Sequence, residues 1–151
     1  MKSVARITLI NLALLVIGIA AAELAFGSWI FGPDYGLLNI PRDERRVFDV
    51  SSLYPGGGKI TYTRDNFGFR GNAERAPAEV DVVVLGGSTT NERYIDDAAT
   101  WVARLQESFR RSGVSLAIVN ASVDGQTSIG HVSAVELWLK KIPDFRPSHA
   151  L

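Results

Sequence analysis

The chain of 151 residues contains no cysteine and only two histidines. Zero cysteines exclude a disulfide framework, although they assign no compartment. His131 and His149 stand too far apart to make a recognisable metal-ligand spacing, so no metal and no cofactor is implied. Charge of one sign is also lacking: 16 basic residues balance 16 acidic ones. A chain without net charge gives no reason to expect nucleic acid as a partner. No P-loop Gly-Lys-Ser/Thr occurs. Gly86-Gly87-Ser88 lacks the third spaced glycine of a dinucleotide-binding turn, so a nucleotide-binding domain fails on sequence. No internal repeat is visible.

Apolar residues, by contrast, are concentrated at the start. Lys2 and Arg6 precede Ile7-Thr-Leu-Ile-Asn-Leu-Ala-Leu-Leu-Val-Ile-Gly-Ile-Ala-Ala-Ala22, and the apolar character resumes after Glu23 through Phe31. A spanning helix needs about 20 apolar residues. Ile7 to Phe26 meets this with Glu23 near the outer headgroups and Trp29 and Phe31 at the interface. The basic residues stay on the cytoplasmic side, which turns the rest of the chain outward, periplasmic or extracellular. Ala20-Ala21-Ala22 also fits a signal-peptidase site. A buried helix of a soluble domain is a third reading, disfavoured because the run is apolar all round. Residues 1–31 are therefore expected to be a membrane anchor or signal segment, with membrane contact through residues 7–31.

The segment Asp81-Val-Val-Val-Leu-Gly-Gly-Ser-Thr-Thr90 carries the chemistry. A short apolar β-branched run ends in two glycines and a serine. This is how a buried parallel strand presents a nucleophile at its carboxyl end. Gly86 and Gly87 clear side chains from beside Ser88. Thr89 and Glu92 fit a capping box, which predicts a helical turn just after Ser88. A solvated serine in a tight turn is the plainer reading. A second apolar run, Val114 to Val119, leads to another polar turn, Asn120-Ala-Ser-Val-Asp-Gly-Gln-Thr-Ser128.

Together the two segments resemble two blocks of the SGNH (GDSL-type) hydrolases, over about residues 60 to 151. The resemblance implies that Ser88 is the nucleophile and that the backbone N–H of Gly125 contributes to the oxyanion hole. The usual first block reads Gly-Asp-Ser, whereas Gly87 stands here at the middle position. That departure resembles membrane-anchored bacterial branches of the family. The resemblance further implies a flavodoxin-like three-layer α/β/α fold, truncated here, after an N-terminal transmembrane helix. Acylated glycans or lipids outside the membrane are the substrates its topology suggests. Two other family blocks are missing: Gly-x-Asn-Asp, which completes the oxyanion hole, and Asp-x-x-His, which supplies the base. Leu151 is thus expected to be the edge of a truncated product or fragment. His131, a few residues into the last helix, is expected to be a partly exposed helix residue rather than the base. His149 is expected to lie in a solvated tail. The alternative function is a membrane-tethered, non-catalytic binding or structural module. Neither reading fixes the oligomeric state.

The remaining segments give a coarse organisation. Residues 32–58 hold Gly32-Pro33-Asp34-Tyr35-Gly36, the charged run Arg42 to Arg46 and Tyr54-Pro-Gly-Gly-Gly58, and read as a linker with little structure. Residues 59–151 read as a partial hydrolase domain. Lys59 to Arg64 alternates as a half-buried strand. Arg70 either binds an anionic substrate group or pins its own loop through local hydrogen bonds. Val80–Leu85 and Val114–Val119 are the core strands. A helix over about 98–111 has Trp101, Leu105 and Phe109 as its core stripe, with Gly113 as its αL cap. A final helix over about 128–141 turns Val132, Val135, Leu139 and Ile142 inward and stops at Pro143.

Overall fold

The computed structural model describes residues 2–26, 38, 40–71 and 75–151. The chain divides into two compact units, residues 1–34 and 35–151. The described part of the first is one helix, α1 (Lys2–Phe26). Its stretch Val4–Phe26, 23 residues, is long and apolar enough to cross a membrane. At roughly 1.5 Å per residue it reaches about 35 Å, against a hydrocarbon core of about 30 Å. A signal sequence passes the same test. Apart from Glu23, which is buried, every described side chain from Val4 to Phe26 is exposed. Trp29, Phe31 and the break at Gly32-Pro33 lie outside the described residues.

The second unit is mixed α/β. Its first element corrects the reading of residues 32–58 as an unstructured linker. Strand β1 (Glu44–Asp49) pairs antiparallel with β2 (Lys59–Arg64), in register from Glu44 opposite Arg64 to Asp49 opposite Lys59. The charged run is solvated as expected at Arg45 and Arg46, but it is solvated as a strand. The hairpin forms because Phe48 finds aromatic partners edge-on, Tyr62 at 6.2 Å and Tyr94 at 5.4 Å between centroids. Its long turn closes at Gly57, where a Cβ would collide with the Val50 carbonyl. Asp49 accepts from the Ser51 hydroxyl and N–H, which holds its carboxyl below the ordinary range.

The core is a parallel sheet of β3 (Val82–Val84), β4 (Ile118–Asn120) and β5 (His149–Ala150), in the order β4-β3-β5. Val82 lies opposite Ile118 on one side and His149 on the other. His149 is therefore not in a tail: it is exposed, but it sits in the third strand. Both faces of the sheet are covered, which is why β3 reads as an unbroken apolar run. Alternation divides the side chains. Val82, Val84 and Ile118 pack with Val102, Leu105 and Phe109 of α3 (Trp101–Arg111). Val83 and Val119 pack with Ala134 of α4 (Ser128–Leu137) and with Trp138, Leu139 and Ile142 beyond it.

The helices deviate from the sequence reading in detail. α3 starts at Trp101 rather than near residue 98, because Asp97–Ala99 form a separate 3-10 turn and Thr100 caps α3 by accepting from Ala103 N–H. Trp101 is 39% exposed, and Val102 takes the buried place expected of it. Gly113 has the left-handed φ of 77° expected of a helix end. α4 stops at Leu137 and continues as the 3-10 turn Leu139–Lys141. Val132 is 64% exposed, so it does not face inward; Ala134 and Trp138 are wholly buried in its stead.

Candidate functional site

The two polar turns leave the sheet at the carboxyl ends of adjacent parallel strands. The strand ladder runs on into them: Ala121 N–H donates to Val84 O at 2.8 Å and Val123 N–H to Gly86 O at 2.9 Å. A Cβ built on Gly87 would stand 3.2 Å from the Gln126 carbonyl oxygen, so the turns touch at that glycine. At Gly86 a Cβ would collide with the Thr90 side chain. Each glycine therefore answers a close approach.

Ser88 opens α2 (Ser88–Asn91), a single helical turn. Its hydroxyl is exposed, and neither its Oγ nor its N–H has a hydrogen-bond partner among the described residues. Gly125 has φ 77°, a conformation costly for any residue with a Cβ, and its N–H is likewise unengaged among the described residues. The expected capping box does not form. Glu92 ends α2 in the left-handed region at φ 48°, and its carboxylate accepts from Trp101 N–H at 2.7 Å. An acidic group is more favourable there, at the start of an eleven-residue helix, than at one isolated turn.

A cavity of about 350 Å³ opens at Ser88, lined also by Glu92, Arg93, Tyr94, Ile95 and Asp124. Asp124 accepts from Asn91 Nδ2 at 2.8 Å and pairs with Arg93 Nε at 3.4 Å. Neither histidine lines the cavity. His131 is partly buried, with its Nε2 lacking a hydrogen-bond partner among the described residues. His149 Nδ1 lies 2.9 Å from Ser148 Oγ. Among the described residues no cluster of three or more His, Cys, Asp or Glu could hold a metal ion.

Beneath the turns lies a layer of buried polar groups that sequence reasoning missed. Arg64, 3% exposed, donates to Tyr62 Oη, Gly68 O, Asn91 Oδ1 and Ser122 O at 2.6–3.0 Å. Asn120 accepts from Ser122 N–H and Oγ–H and donates to Thr90 O. Arg70 takes the pinning role offered above. Its N–H donates to Asn120 O, its guanidinium to Asn91 O and Ile95 O, and it pairs with Asp97 and covers the Tyr62 ring. Burial lowers the Arg70 pKa to about 10. Asp97 and Asp96 also accept from the N–H groups of Thr63 and Thr61, closing the free edge of β2. One signal for this layer was present: in the alternation of β2, Ile60, Tyr62 and Arg64 share the inward face.

Comparison of the chain with protein-family models, with curated proteins and with solved structures returns no match.

Proposed function

We propose that this chain carries the nucleophile and part of the oxyanion hole of an SGNH-type ester hydrolase or O-acyltransferase that works outside the membrane. The observation that carries the reading is the pair of backbone N–H groups, Ser88 and Gly125, unengaged among the described residues, on touching turns beside a serine hydroxyl that is likewise unengaged. Two such donors, if they converge on one oxygen, would suit the charge that develops on a carbonyl under attack. The order β4-β3-β5 with helices on opposite faces supports a flavodoxin-like, three-layer α/β/α arrangement, whose ligands sit at the carboxyl edge.

In this reading Ser88 Oγ attacks an ester carbonyl, the hydroxyl proton passes to a base, and the two N–H groups hold the oxyanion. The acyl group then passes to water or to a sugar hydroxyl. Acylated glycans or lipids are the proposed substrates. Neither histidine lines the Ser88 cavity, so this chain should show no Ser88-dependent turnover of ordinary esters on its own. A serine hydroxyl without a base in reach is a weak nucleophile. Added imidazole can take the place of the base. Turnover of p-nitrophenyl acetate should show no dependence on Ser88 in plain buffer. In imidazole it should exceed that of Ser88→Ala. Equal rates for the two proteins in imidazole would refute the nucleophile role.

The lack of a histidine at the cavity also favours a second reading, a membrane-tethered module that binds without catalysis. Equal rates in imidazole would support it. For topology we propose one pass with the second unit outside, Lys2 and Arg6 marking the inner side. An alkaline phosphatase fusion after residue 60 should be active and stay in the membrane fraction. An inactive fusion would reverse the orientation, and a mature chain beginning at Glu23 would exclude a retained anchor.

A further inference from the structure

We infer that Arg64 is a positioning residue that sets the spacing between the Ser88 turn and the Gly125 turn. Its guanidinium is buried, yet among the described residues it faces neutral oxygens and no carboxylate within ion-pairing reach. Burying a charge without a counter-charge is costly, so a merely space-filling side chain would serve the core better. What the guanidinium does is join two segments. One Nη2 donates to Asn91 Oδ1, at the end of the helical turn that Ser88 opens, at 3.0 Å; it also donates to Ser122 O, on the approach to Gly125, at 2.7 Å.

Asn91 extends the link. It is 1% exposed, and both Arg64 and the Tyr62 hydroxyl donate to its Oδ1. This fixes which end of the amide points where. Its Nδ2 must then face Asp124, the neighbour of Gly125, and it donates there at 2.8 Å. The planar guanidinium suits this task because its donors are held in a rigid fork. The catalytic consequence rests on reading Ser88 and Gly125 as the reacting pair; the coupling of the two turns does not.

The test is amide hydrogen exchange of the full chain in detergent micelles, read without any ester. It is therefore independent of whether Ser88 is a nucleophile, which the imidazole assay reads separately. Arg64→Gln should raise exchange about tenfold at the hydrogen-bonded amides of both turns, Thr90 and Asn91 on one and Ser122, Val123 and Gln126 on the other, and leave β1 at its wild-type rate. Asn91→Asp separates the two halves of the link. It keeps the oxygen that Arg64 holds but loses the donor to Asp124 and sets a second carboxylate against it. Exchange should then rise at the Val123 and Gln126 amides only, while those of Thr90 and Asn91 stay protected. That one-sided pattern is a signature that general loss of stability does not give. Unchanged exchange at both turns in Arg64→Gln would overturn the inference. So would a uniform rise across residues 40–151 in Asn91→Asp. Should Arg64→Gln fail to fold, the Asn91→Asp pattern alone decides.

Discussion

The sheet and the turns above it are held by opposite means. Below, Val83, Val119, Ala134 and Trp138 bury apolar surface against one another. Above, Arg64, Asn91, Asn120 and Ser122 are as deeply buried but are joined by hydrogen bonds. Apolar packing is non-directional and tolerates small shifts, so it suits a scaffold. A satisfied polar network has one geometry, so it suits two turns held at a fixed distance from each other. The scaffold should therefore fail by losing stability, and the polar layer by losing local order.

The largest effect belongs to the scaffold. Trp138 is wholly buried, lies 5.7 Å from the Phe69 ring and donates from Nε1 to Phe67 O. Trp138→Ala should cost about 3–5 kcal/mol, read as a lower denaturation midpoint for the second unit. A cost below about 1 kcal/mol would mean that α4 is not anchored through this residue. Next, Asn120→Ala removes the acceptor for Ser122 and the donor to Thr90 O. It should cost about 2 kcal/mol in denaturant unfolding. Its exchange rates should rise at the two turns before they rise in the sheet, and the reverse order would erase the contrast between layers.

A smaller effect concerns Asp65, whose Oδ1 accepts from Phe67 and Phe69 N–H but whose burial raises its pKa. The folded chain thus takes up this proton at a higher pH than the unfolded chain. Charged Asp65 carries a burial cost at neutral pH that protonation relieves as the pH falls through its raised pKa. Asp65→Asn should therefore melt above the wild type at neutral pH, with the gap narrowing toward acid. A gap that widens toward acid would contradict the sign. The smallest effect is Val132→Ser: an exposed side chain on α4 should change stability by no more than about 0.5 kcal/mol.

How much was legible follows the same division. β2, the two core strands, their parallel pairing and the meeting of the Ser88 and Gly125 turns are written in apolar runs that end in glycine and polar residues. Strand bounds shifted by a few positions because pairing, not hydrophobicity, sets them: Val114 is exposed and β4 begins at Ile118. β1 was hidden because Glu44-Arg-Arg-Val-Phe-Asp49 is solvated on most positions and gains its place only from Phe48 meeting Tyr62 and Tyr94. Val132 was misjudged because α4 buries small Ala134 and the following Trp138, which an aliphatic stripe does not reveal. The polar layer depends on residues far apart in sequence, 64 with 91 and 122, and no local pattern announces such a meeting. Only the inward register of Arg64 hinted at it.

The most direct test of the central claim is where an acyl group lands. The full chain would be exposed to p-nitrophenyl acetate in imidazole, digested, and its peptides mapped by mass spectrometry. The account predicts an acetyl group on Ser88, absent from the same peptide without imidazole and lost when Ser88 is replaced by alanine. Acetylation confined to lysines and the amino terminus, with Ser88 unmodified, would contradict it.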